Sequence, residues 1–489
     1  MQDYQMFVGG EWIDAEDGAT IETINPWTTQ AWAKIPRGGP ADARRAVEAA
    51  RTAFKDPTWA RLTASQRGAL LRKLAGLIER DAEQLAQTES RDNGKLLAET
   101  RGVLRYVPQI YHYYAGLADK VEGKVIPVDR SGFLTYTRPQ PMGVVVAITP
   151  WNSPMLIAAS KVAPALAAGC TVILKPSEST SASALELARL FEEAGFPKGV
   201  FNVVTGYGHE VGDALVRDPQ VAKITFTGGD VGGRKINEAA ASDFKHVSLE
   251  LGGKSPNIIF EDADLEQAAR GAVAGIFTSS GQSCIAGSRL LVQRAVHDKI
   301  VERVIELAKA ARVGNPQEVE TNVGPVATEA QLQKILDYIA IAREGGATCV
   351  LGGERVSPDR WLIGPTIFTG VTSDMRIAQE EVFGPILSVI PFEDEADAIH
   401  VANDTIYGLA CGVWTKDFRR ALRVANAVDA GTVWVNNYRM VSLTAPFGGF
   451  KHSGIGRENG VASIQEFLET KTIWIDYENE LPDPFAVRI

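Results

Sequence analysis

Short, continuously apolar segments in the middle of the chain constrain its fold more than any other feature. The first is GVVVAIT at 143–149, and similar segments follow at 171–176, 200–206, 223–229 and 247–253. Segments of this length, rich in Val and Ile and without polar alternation, are typical of strands buried on both faces of a parallel sheet. Helical patterns separate them at 153–168, 180–194, 208–217 and 231–241. This alternation of strand and helix predicts a doubly wound α/β domain.

A second alternating block follows Asp264. Its predicted helices cover 264–279, 297–312 and 328–345. Its predicted strands are SRLLVQ at 288–293 and segments near 367, 386–392, 410–414 and 432–436. The chain therefore contains a second α/β unit, in keeping with a length of 489 residues and about 150 residues per domain.

The flanking regions have a different character. The N-terminal FVGGEWI suggests strands and a turn, and helices are predicted at 41–54, after a cap at Thr63 or Ser65, and at about 96–118. The segment 125–138 and the tail 471–477 are predicted strands. An exposed strand edge has unpaired backbone N–H and C=O groups that can bind another strand. We therefore expect the tail to pair with 125–138 or with another subunit.

Composition excludes several classes of protein. The net charge is −10, which disfavours binding to nucleic acid or to an anionic membrane. The longest uncharged stretch of interest, 162–174, is too short for the ~20 apolar residues of a membrane span, and the N-terminus does not resemble a signal peptide. Four cysteines favour a reducing compartment such as the cytoplasm, and no Cys or His spacing suggests a metal site.

Cys284 is the strongest candidate for a reactive residue. It follows a predicted helix in a turn rich in Gly and Ser. In such a turn a thiol can approach a substrate and also a base or positive charge that favours the thiolate. Cys170, Cys349 and Cys411 lie in apolar, strand-like contexts instead, as expected for small buried residues.

Polar residues and glycines mark the ends of the predicted strands, where α/β sheets place their sites. Glu250 interrupts an apolar strand, so it is either paired, solvated or functional. The FTGGDVGG loop at 226–233 suits a phosphate, although neither it nor TGYGHEVG matches the common dinucleotide fingerprint and each also suits a plain turn. Asn152 of PWN could donate to an oxyanion, and KPSE at 175–178 could hold ribose hydroxyls; both also suit ordinary turns.

Seven motifs together say more than each one alone. The chain contains, in order, PWN, KPSE, FTGG, LELGGKSPNIIF, GQSC, EEVFGP and PFGGFKHSGIGRENG. In this order they resemble the aldehyde dehydrogenase superfamily over essentially the whole chain. The resemblance implies two doubly wound Rossmann-like domains with a small β segment for oligomerisation. By this reasoning 1–118 and 139–252 bind the dinucleotide, 253–446 carry the nucleophilic cysteine, and 119–138 with 470–489 form the oligomerisation strands.

The resemblance also implies roles for particular residues. Cys284 is the nucleophile and Glu250 the general base; Asn152 and the Cys284 N–H form the oxyanion hole. Lys161 lies where the family has a lysine near the active site, and Glu469 resembles a second acidic residue of a proton path. The implied contacts to NAD, or alternatively NADP, are Trp151, Lys175, Ser177, Glu178, Gly208, Gly228, Gly229, Gly233, Glu381 and Phe383.

One departure from the family pattern concerns the phosphate loop. The family often has Ser after FTG, and this chain has Gly229. Phosphate contacts must then come from backbone amides or from Trp151 and its neighbours. A carboxylate at Glu178 favours NAD⁺, because it accepts ribose hydroxyls and repels a 2′-phosphate.

Three alternatives to hydrolytic aldehyde oxidation agree less well with the sequence. Superfamily members that pass the acyl group to coenzyme A tend to lack the general-base glutamate, and Glu250 is present. A non-catalytic relative of the same fold would be expected to have lost Cys284 or Glu250. A serine hydrolase is disfavoured because the sequence contains no GxSxG motif.

The identity of the aldehyde is not evident from the sequence. Ser283 and Ile285 flank the nucleophile, and the loop at 436–446 is expected to form the pocket mouth. Tyr106, Leu156 and Ser160 are expected to line other walls. Arg439 in the mouth loop could select a carboxylated aldehyde, although a solvated surface position or an intersubunit salt bridge is also compatible with the sequence.

Overall fold

The computed structural model describes residues 1–478 and residue 485. Its α-helices are α1 (Pro40–Lys55), α2 (Pro57–Ala60), α3 (Ala64–Arg80), α4 (Ala82–Asn93), α5 (Leu97–Leu117), α6 (Pro154–Ala168), α7 (Ala182–Ala194), α8 (Asp213–Arg217), α9 (Asp230–Ala241), α10 (Leu265–Phe277), α11 (His297–Lys309), α12 (Glu329–Glu344), α13 (Arg376–Gln379), α14 (Glu395–Asn403), α15 (Phe418–Ala427) and α16 (Ala462–Gln465).

The strands are β1 (Gln2–Asp3), β2 (Met6–Val8), β3 (Glu11–Ile13), β4 (Thr20–Asn25), β5 (Gln30–Pro36), β6 (Val125–Ile126), β7 (Phe133–Pro141), β8 (Val144–Ile148), β9 (Thr171–Lys175), β10 (Phe201–Val203), β11 (Val221–Thr227), β12 (His246–Glu250), β13 (Pro256–Ile259), β14 (Arg289–Gln293), β15 (Thr348–Leu351), β16 (Thr366–Thr369), β17 (Ile386–Phe392), β18 (Tyr407–Gly408), β19 (Ala410–Trp414), β20 (Thr432–Val435), β21 (Phe450–Lys451), β22 (Gly454–Ile455) and β23 (Leu468–Asp476).

The first large sheet has the order β22-β12-β11-β8-β9-β10-β2-β3. Its five central strands, β12 to β10, run parallel, while β22 and β2 pair antiparallel at the two sides. Both faces are covered, as the apolar segments predict. In β8, Val145 and Ala147 join one core, whereas Val144, Val146 and Ile148 join the core on the opposite face.

The second large sheet has the order β15-β16-β17-β14-β13-β19-β20 and is parallel except for β15. It also has a core on each face: Ile258 packs on one side and its neighbour Ile259 on the other. The doubly wound α/β class expected from the sequence is therefore the observed one.

A separate antiparallel sheet has the order β23-β7-β6. The tail strand β23 pairs with β7 along Phe133–Pro141, so the tail pairs with the 125–138 region within the same chain. Of the predicted 470–489 segment, residues 479–484 and 486–489 lie outside the described residues. A smaller sheet, β1-β5-β4, and the β18-β21 pair complete the fold.

Two helical regions differ from the sequence-based expectation. The predicted helix at 208–217 begins with a single π turn, Gly208–Gly212, before α8. The helix α4 is absent from the predicted elements, because it buries polar residues (Glu89, Ser90, Asp92 and Asn93) and so lacks a clear apolar periodicity. The expected cap at Thr63 is present and accepts a hydrogen bond from the Gln66 N–H.

Candidate active site

The candidate active site lies at the carboxyl edge of the first large sheet. Because its central strands are parallel and adjacent, the residues that follow them meet along one edge. Trp151 and Asn152 follow β8, Lys175 ends β9, Gly228 and Gly229 follow β11, and Glu250 ends β12. The strand order therefore gathers segments that are up to about a hundred residues apart in sequence.

Residues 278–285 form the loop that carries Cys284, the predicted nucleophile, and this segment is called the nucleophile loop. It approaches this edge from the second large sheet. After α10, the chain turns sharply through Ser279 and Ser280, which have positive φ angles of 56° and 54°. Glu99 Oε1 accepts hydrogen bonds from the Ser279 N–H at 2.8 Å and from its hydroxyl at 3.2 Å. Gln282 is tied by its side-chain oxygen to the Ala327 N–H at 2.9 Å. These contacts fix the loop that carries Cys284.

Cys284 and Asn152 face the same cavity of about 180 Å³. The Asn152 amide donates to the Gln282 carbonyl at 3.1 Å, which connects it directly to the nucleophile loop. Among the described residues, the Cys284 N–H donates to no backbone acceptor. The cavity is lined by Pro150, Trp151, Asn152, Ile157, Thr227, Gly228, Gly229, Leu251, Gly252, Cys284, Gln331, Lys334, Glu381 and Phe383.

The resting Cys284 thiol is neutral. Burial raises its pKa to about 12, and the carboxylates of Glu381 and Glu250 contribute to this rise, while the Arg439 guanidinium lowers the pKa. The thiolate therefore needs an additional positive charge, or removal of these carboxylates' influence, to form at neutral pH.

Glu250 is buried at the end of β12, with 5% of its surface exposed. Neither carboxylate oxygen has a hydrogen-bond partner among the described residues. A Cβ atom at Gly448 would lie 2.7 Å from Glu250 Oε1, so the glycine leaves room for the carboxylate. Burial and the nearby Glu458 raise the Glu250 pKa well above its ordinary value. An unpartnered, buried carboxyl group of this kind is suited to accept a proton from water.

Lys161, which is buried, and Glu458, which is half-buried, form an ion pair near Glu250. Lys161 also donates to the Thr225 hydroxyl at 3.2 Å, and the Ser160 hydroxyl donates to Glu458 Oε2 at 3.0 Å. Both charged groups influence the Glu250 pKa, Glu458 raising it and Lys161 lowering it. Ser160, which is expected on the pocket wall, thus also contacts the ion pair through Glu458.

The prediction for Glu469 is wrong. Its side chain is 63% exposed on β23 and lies 3.2 Å from His246, at the opposite end of β12 from Glu250. Glu458 occupies the acidic position beside Lys161 instead. It is brought there by an isolated bridge between Phe447 and Glu458.

The first cofactor-facing group follows β9. Lys175 is buried and its ammonium lies 3.3 Å from Glu178 Oε2, so the two predicted ribose contacts form a pair. Ser177 shapes the turn: its hydroxyl accepts from the Ser179 N–H at 3.3 Å and its carbonyl accepts from the Ser181 hydroxyl at 2.8 Å. Gly208 lies next to this region, after the neighbouring strand β10, with open space around it.

The second group is the N-terminus of α9. Gly229 is its N-cap and supplies no side-chain cap for the first amides of this 12-residue helix, and Gly228 and Gly229 line the cavity. Gly228 is required sterically, because a Cβ there would lie 2.3 Å from the Phe226 ring. Gly233 similarly packs against Leu251, whose side chain would lie 2.5 Å from a Cβ at that position. This arrangement fits a pyrophosphate.

The third group comes from the second large sheet. Glu381 Oε1 accepts a hydrogen bond from the Gly253 N–H at 2.9 Å, and burial raises the Glu381 pKa. Phe383 has a φ of 62°, and its ring meets Trp151 edge-on with the centroids 5.2 Å apart. The Gln331 amide donates to the carbonyls of Val382 and Phe383, at 2.8 and 3.0 Å, and so fixes this loop.

The residues predicted to line the substrate pocket differ in their burial and in their contacts. The Tyr106 hydroxyl accepts from the Leu443 N–H at 2.5 Å and thereby joins α5 to the mouth loop. Leu156 is half-buried against the first core, and Ser283 is half-buried beside Cys284. Ile285, next to Cys284, is 7% exposed and packs in the core of the second sheet. Arg439 is half-buried and donates to the Thr278 carbonyl at 3.1 Å.

Several site residues are not evident from the sequence. Lys95 and Ser153 are hydrogen-bonded to each other next to Asn152, Gln331 and Lys334 line the cavity, and Glu458 pairs with Lys161. Glu458 lies within the PFGGFKHSGIGRENG motif, which could have identified it. Within the part of the chain that the structure describes, no group of three or more His, Cys, Asp and Glu side chains is arranged to hold a metal ion. No helix in the described ranges has the length and apolarity of a membrane span.

Comparison with known proteins agrees with this site. The model of the aldehyde dehydrogenase family matches residues 12–473. The chain is 46% identical to the (Z)-2-((N-methylformamido)methylene)-5-hydroxybutyrolactone dehydrogenase of Acinetobacter baylyi, with all of both chains covered. It is 47% identical to an aldehyde dehydrogenase of Emericella nidulans, over 96% of this chain and 94% of the relative.

Solved structures give the same result. Betaine aldehyde dehydrogenase of Staphylococcus aureus, crystallised with NAD⁺, superposes with a TM-score of 0.97 at 41% identity, covering 99% of this chain and 97% of that one. The NAD⁺ complex of an aldehyde dehydrogenase from Bacillus cereus gives 0.96 at 44% identity, covering 98% and 97%. The chain belongs to the aldehyde dehydrogenase family. It is an oxidoreductase that acts on aldehydes, and the resemblance and the fold class inferred from its motifs are confirmed.

Proposed function

We propose that this chain oxidises a small, polar aldehyde to the carboxylic acid with NAD⁺, through Cys284 as nucleophile and Glu250 as general base. One observation carries the proposal. A thiol, an amide donor at Asn152 and the uncapped N-terminus of α9 share a single cavity, and the buried carboxyl group of Glu250 is close enough to influence the thiol pKa.

Attack on the aldehyde is the first step. Cys284 loses its proton to solvent water, and the thiolate sulfur forms a bond to the aldehyde carbon while the carbonyl π electrons move to the oxygen, which becomes an oxyanion. The Asn152 amide and the Cys284 N–H donate to that oxygen, an effect worth about 3 kcal/mol per donor. NAD⁺, when bound, accepts the hydride that leaves the tetrahedral carbon. The acyl group then remains on Cys284 as a thioester.

Hydrolysis completes the reaction. Water attacks the thioester carbon and transfers a proton to the Glu250 carboxylate, and the Cys284 sulfur leaves. The ion pair of Lys161 and Glu458 lies near Glu250 and is the route by which we propose that the proton returns to solvent. This assignment is supported by the electrostatic influence of both residues on the Glu250 pKa.

The residues around the cavity suit NAD⁺. We assign the adenine ribose to Lys175, Ser177 and Glu178 with Gly208 nearby. The pyrophosphate is assigned to the α9 N-terminus at Gly228, Gly229 and Gly233. The nicotinamide ribose is assigned to Glu381, with Phe383 and Trp151 beside the ring. The uncapped amides of α9 and the carboxylate of Glu178 are the observations that support this fit.

A panel of aldehydes with NAD⁺ and NADP⁺, scored by formation of reduced cofactor, tests the proposal. We expect the acid as product and higher catalytic efficiency with NAD⁺. Product that forms only in the presence of coenzyme A would identify an acylating dehydrogenase instead. The relatives' named activities, on betaine aldehyde in Staphylococcus aureus and on a hydroxybutyrolactone in Acinetobacter baylyi, support a polar substrate.

We further propose that residues 1–118 and 139–252 form the dinucleotide-binding domain and 253–446 the domain that carries Cys284. We propose a homo-oligomer joined through the β23-β7-β6 sheet, which exposes Leu134, Trp474 and Ile475 to 42%, 55% and 42%. Sedimentation of a monomer at micromolar concentration would contradict this. The four cysteines, all within the described residues, form no disulfide, which supports a reducing compartment such as the cytoplasm.

A further inference from the structure

Lys95 is not among the residues that line the cofactor cavity, but it is held close to Asn152, which does line it. It follows α4 after Gly94, a left-handed cap with a φ of 76°. Its ammonium donates to the Ser153 hydroxyl at 2.6 Å, and Ser153 directly follows Asn152. Lys95 is half-buried, so its charge is partly removed from solvent and held next to the residue that we assign to the oxyanion hole.

Arg439 is held near the same loop by its neighbour Tyr438. The Tyr438 hydroxyl donates to the Ile285 carbonyl at 3.1 Å, one residue after Cys284. The Tyr438 ring is buried so tightly that a Cβ atom at Gly275, Gly287 or Gly412 would come within 3.0 Å of it. Arg439 itself has a φ of 69° and donates to the Thr278 carbonyl. Its place relative to Cys284 is therefore fixed by buried packing.

The two cations are not neutralised by ion pairs. Within residues 1–478, neither Lys95 nor Arg439 has a carboxylate oxygen within 4.0 Å. Glu99 is the carboxylate that most influences both, and its Oε1 is already committed to Ser279. Glu99 Oε2 is buried without a hydrogen-bond partner in the described part of the chain.

Glu89 is the other acidic group near Lys95. It is fully buried, accepts a hydrogen bond from the Met155 N–H, and has its pKa raised by burial to about 7. It therefore neutralises Lys95 only in part at neutral pH. Arg439 also acts on Cys284, since its guanidinium lowers the pKa of the thiol. Burial lowers the pKa of Lys95, and the carboxylates of Glu99 and Glu89 oppose that shift.

We infer that Lys95 and Arg439 form an anion-recognition site on the approach to Cys284, and that the preferred substrate is an aldehyde with a carboxylate at its far end. The inference rests on the proposed function and specifies its substrate class. A guanidinium offers two parallel donors to a carboxylate, and an ammonium adds a point charge. A quaternary ammonium aldehyde would place like charges together and be disfavoured.

Matched pairs of aldehydes test the inference on the intact enzyme with NAD⁺. The pairs are 4-oxobutanoate with butanal and 5-oxopentanoate with pentanal, and betaine aldehyde supplies the opposite charge. We expect kcat/KM for one or both carboxylated aldehydes to exceed that of the neutral partner by about tenfold or more, since hydrogen bonds to charged groups are worth that much. Betaine aldehyde should be the poorest of the polar substrates.

Variants localise the effect. Arg439→Gln and Lys95→Gln should each lower the ratio of kcat/KM for the carboxylated aldehyde to kcat/KM for its neutral partner by about tenfold. Arg439→Lys should retain part of the preference. The matched control is Arg419→Gln, which removes one positive charge from the exposed start of α15, where the Arg419 backbone N–H bonds Asp417.

The outcomes separate this inference from the proposed function. If no aldehyde is oxidised with NAD⁺, the proposed function fails. If neutral aldehydes are oxidised as well as carboxylated ones, or if Arg439→Gln changes all substrates equally, only the anion site is overturned. Equal losses in Arg419→Gln would attribute the preference to the net charge of the enzyme and would also overturn the site.

Discussion

The two sides of Cys284 are built in different ways. On the side that we assign to the cofactor, backbone contributes a large part of the surface, through the turns after β8, β9 and β11 and the first amides of α9. Side chains such as Glu381 and Phe383 complete it. On the side that we assign to the substrate, we expect side chains from the segment after α4, from α5 and from the mouth loop, among them Lys95, Tyr106 and Arg439. A backbone surface follows from the sheet itself, whereas a side-chain surface can change by substitution without changing the fold.

The difference indicates how one fold keeps its cofactor and varies its substrate. Altering the cofactor side means moving strand ends or replacing glycines that have no room for a Cβ, such as Gly228. Altering the substrate side requires only that a polar side chain be exchanged. The four predictions below probe the reacting centre between the two sides and then the cofactor side alone.

The largest effect is expected from Cys284→Ala. Loss of the nucleophile should lower turnover by about 10⁴-fold or more, as for other enzymes that lose a covalent nucleophile. Binding of NAD⁺ should remain, because Cys284 is not among the groups that we assign to the cofactor. Steady-state rates and calorimetric titration with NAD⁺ measure the two properties. Residual activity within about tenfold of the parent would remove Cys284 from its assigned role.

Glu250→Gln should separate acylation from hydrolysis. Hydride transfer needs the thiolate and the oxyanion donors, while thioester hydrolysis needs a base, so steady-state turnover should fall by about 10²–10⁴-fold. A burst of about one reduced cofactor per active site should precede the slow phase, and stopped-flow absorbance detects it. Loss of the burst would mean that Glu250 also activates the thiol. If the rate is unchanged, Glu458 becomes the next candidate base.

These two residues also show what the sequence could predict. Cys284 and Glu250 lie in motifs at the end of a helix and of a strand. A parallel sheet brings the segments at its strand ends together, independently of details elsewhere in the chain. The last motif contains Glu458 and could have indicated it, but which of Glu458 and Glu469 contacts Lys161 depends on tertiary structure. The bridge between Phe447 and Glu458 brings Glu458 to Lys161, whereas Glu469 lies exposed on β23 beside His246.

Lys95 and Ser153 illustrate the same limit on the substrate side. They are 58 residues apart, and their hydrogen bond depends on how the chain after α4 packs beside the start of α6. The helix α4 itself lacks apolar periodicity, since its buried face is largely polar. Contacts of this kind depend on tertiary packing, which a periodic pattern does not report.

The pH dependence of hydrolysis should reflect the raised pKa of Glu250. A general base acts in its ionised form, so kcat should rise with pH, by about tenfold per unit below the pKa of Glu250 and more slowly above it. This rise should extend above the ordinary range of carboxyl groups. The measurement is kcat against pH under conditions where hydrolysis limits turnover. In Glu250→Gln the same rise should disappear; if it persists, another group titrates.

The smallest effect concerns neighbouring glycines on the cofactor side. Gly228→Ala should raise KM for NAD⁺ by about tenfold, because a Cβ meets the Phe226 ring and overpacking costs about 1–3 kcal/mol. Gly229→Ser should instead be tolerated or bind NAD⁺ slightly better, since the site is open and Ser suits an N-cap. Titration of each variant with NAD⁺ compares them. Equal effects of the two substitutions would contradict a backbone-defined surface.

The pairing of β22 with β12 has a consequence for the newly made chain. Gly454 pairs with Glu250, so the edge of the first sheet beside the proposed base is completed by a segment far downstream in the sequence. On the ribosome, where chains emerge gradually and fold from the N-terminus, the strands up to β12 are available long before their last partner. A nascent chain therefore displays Cys284 and most of the cofactor surface before the strand beside Glu250 has been synthesised.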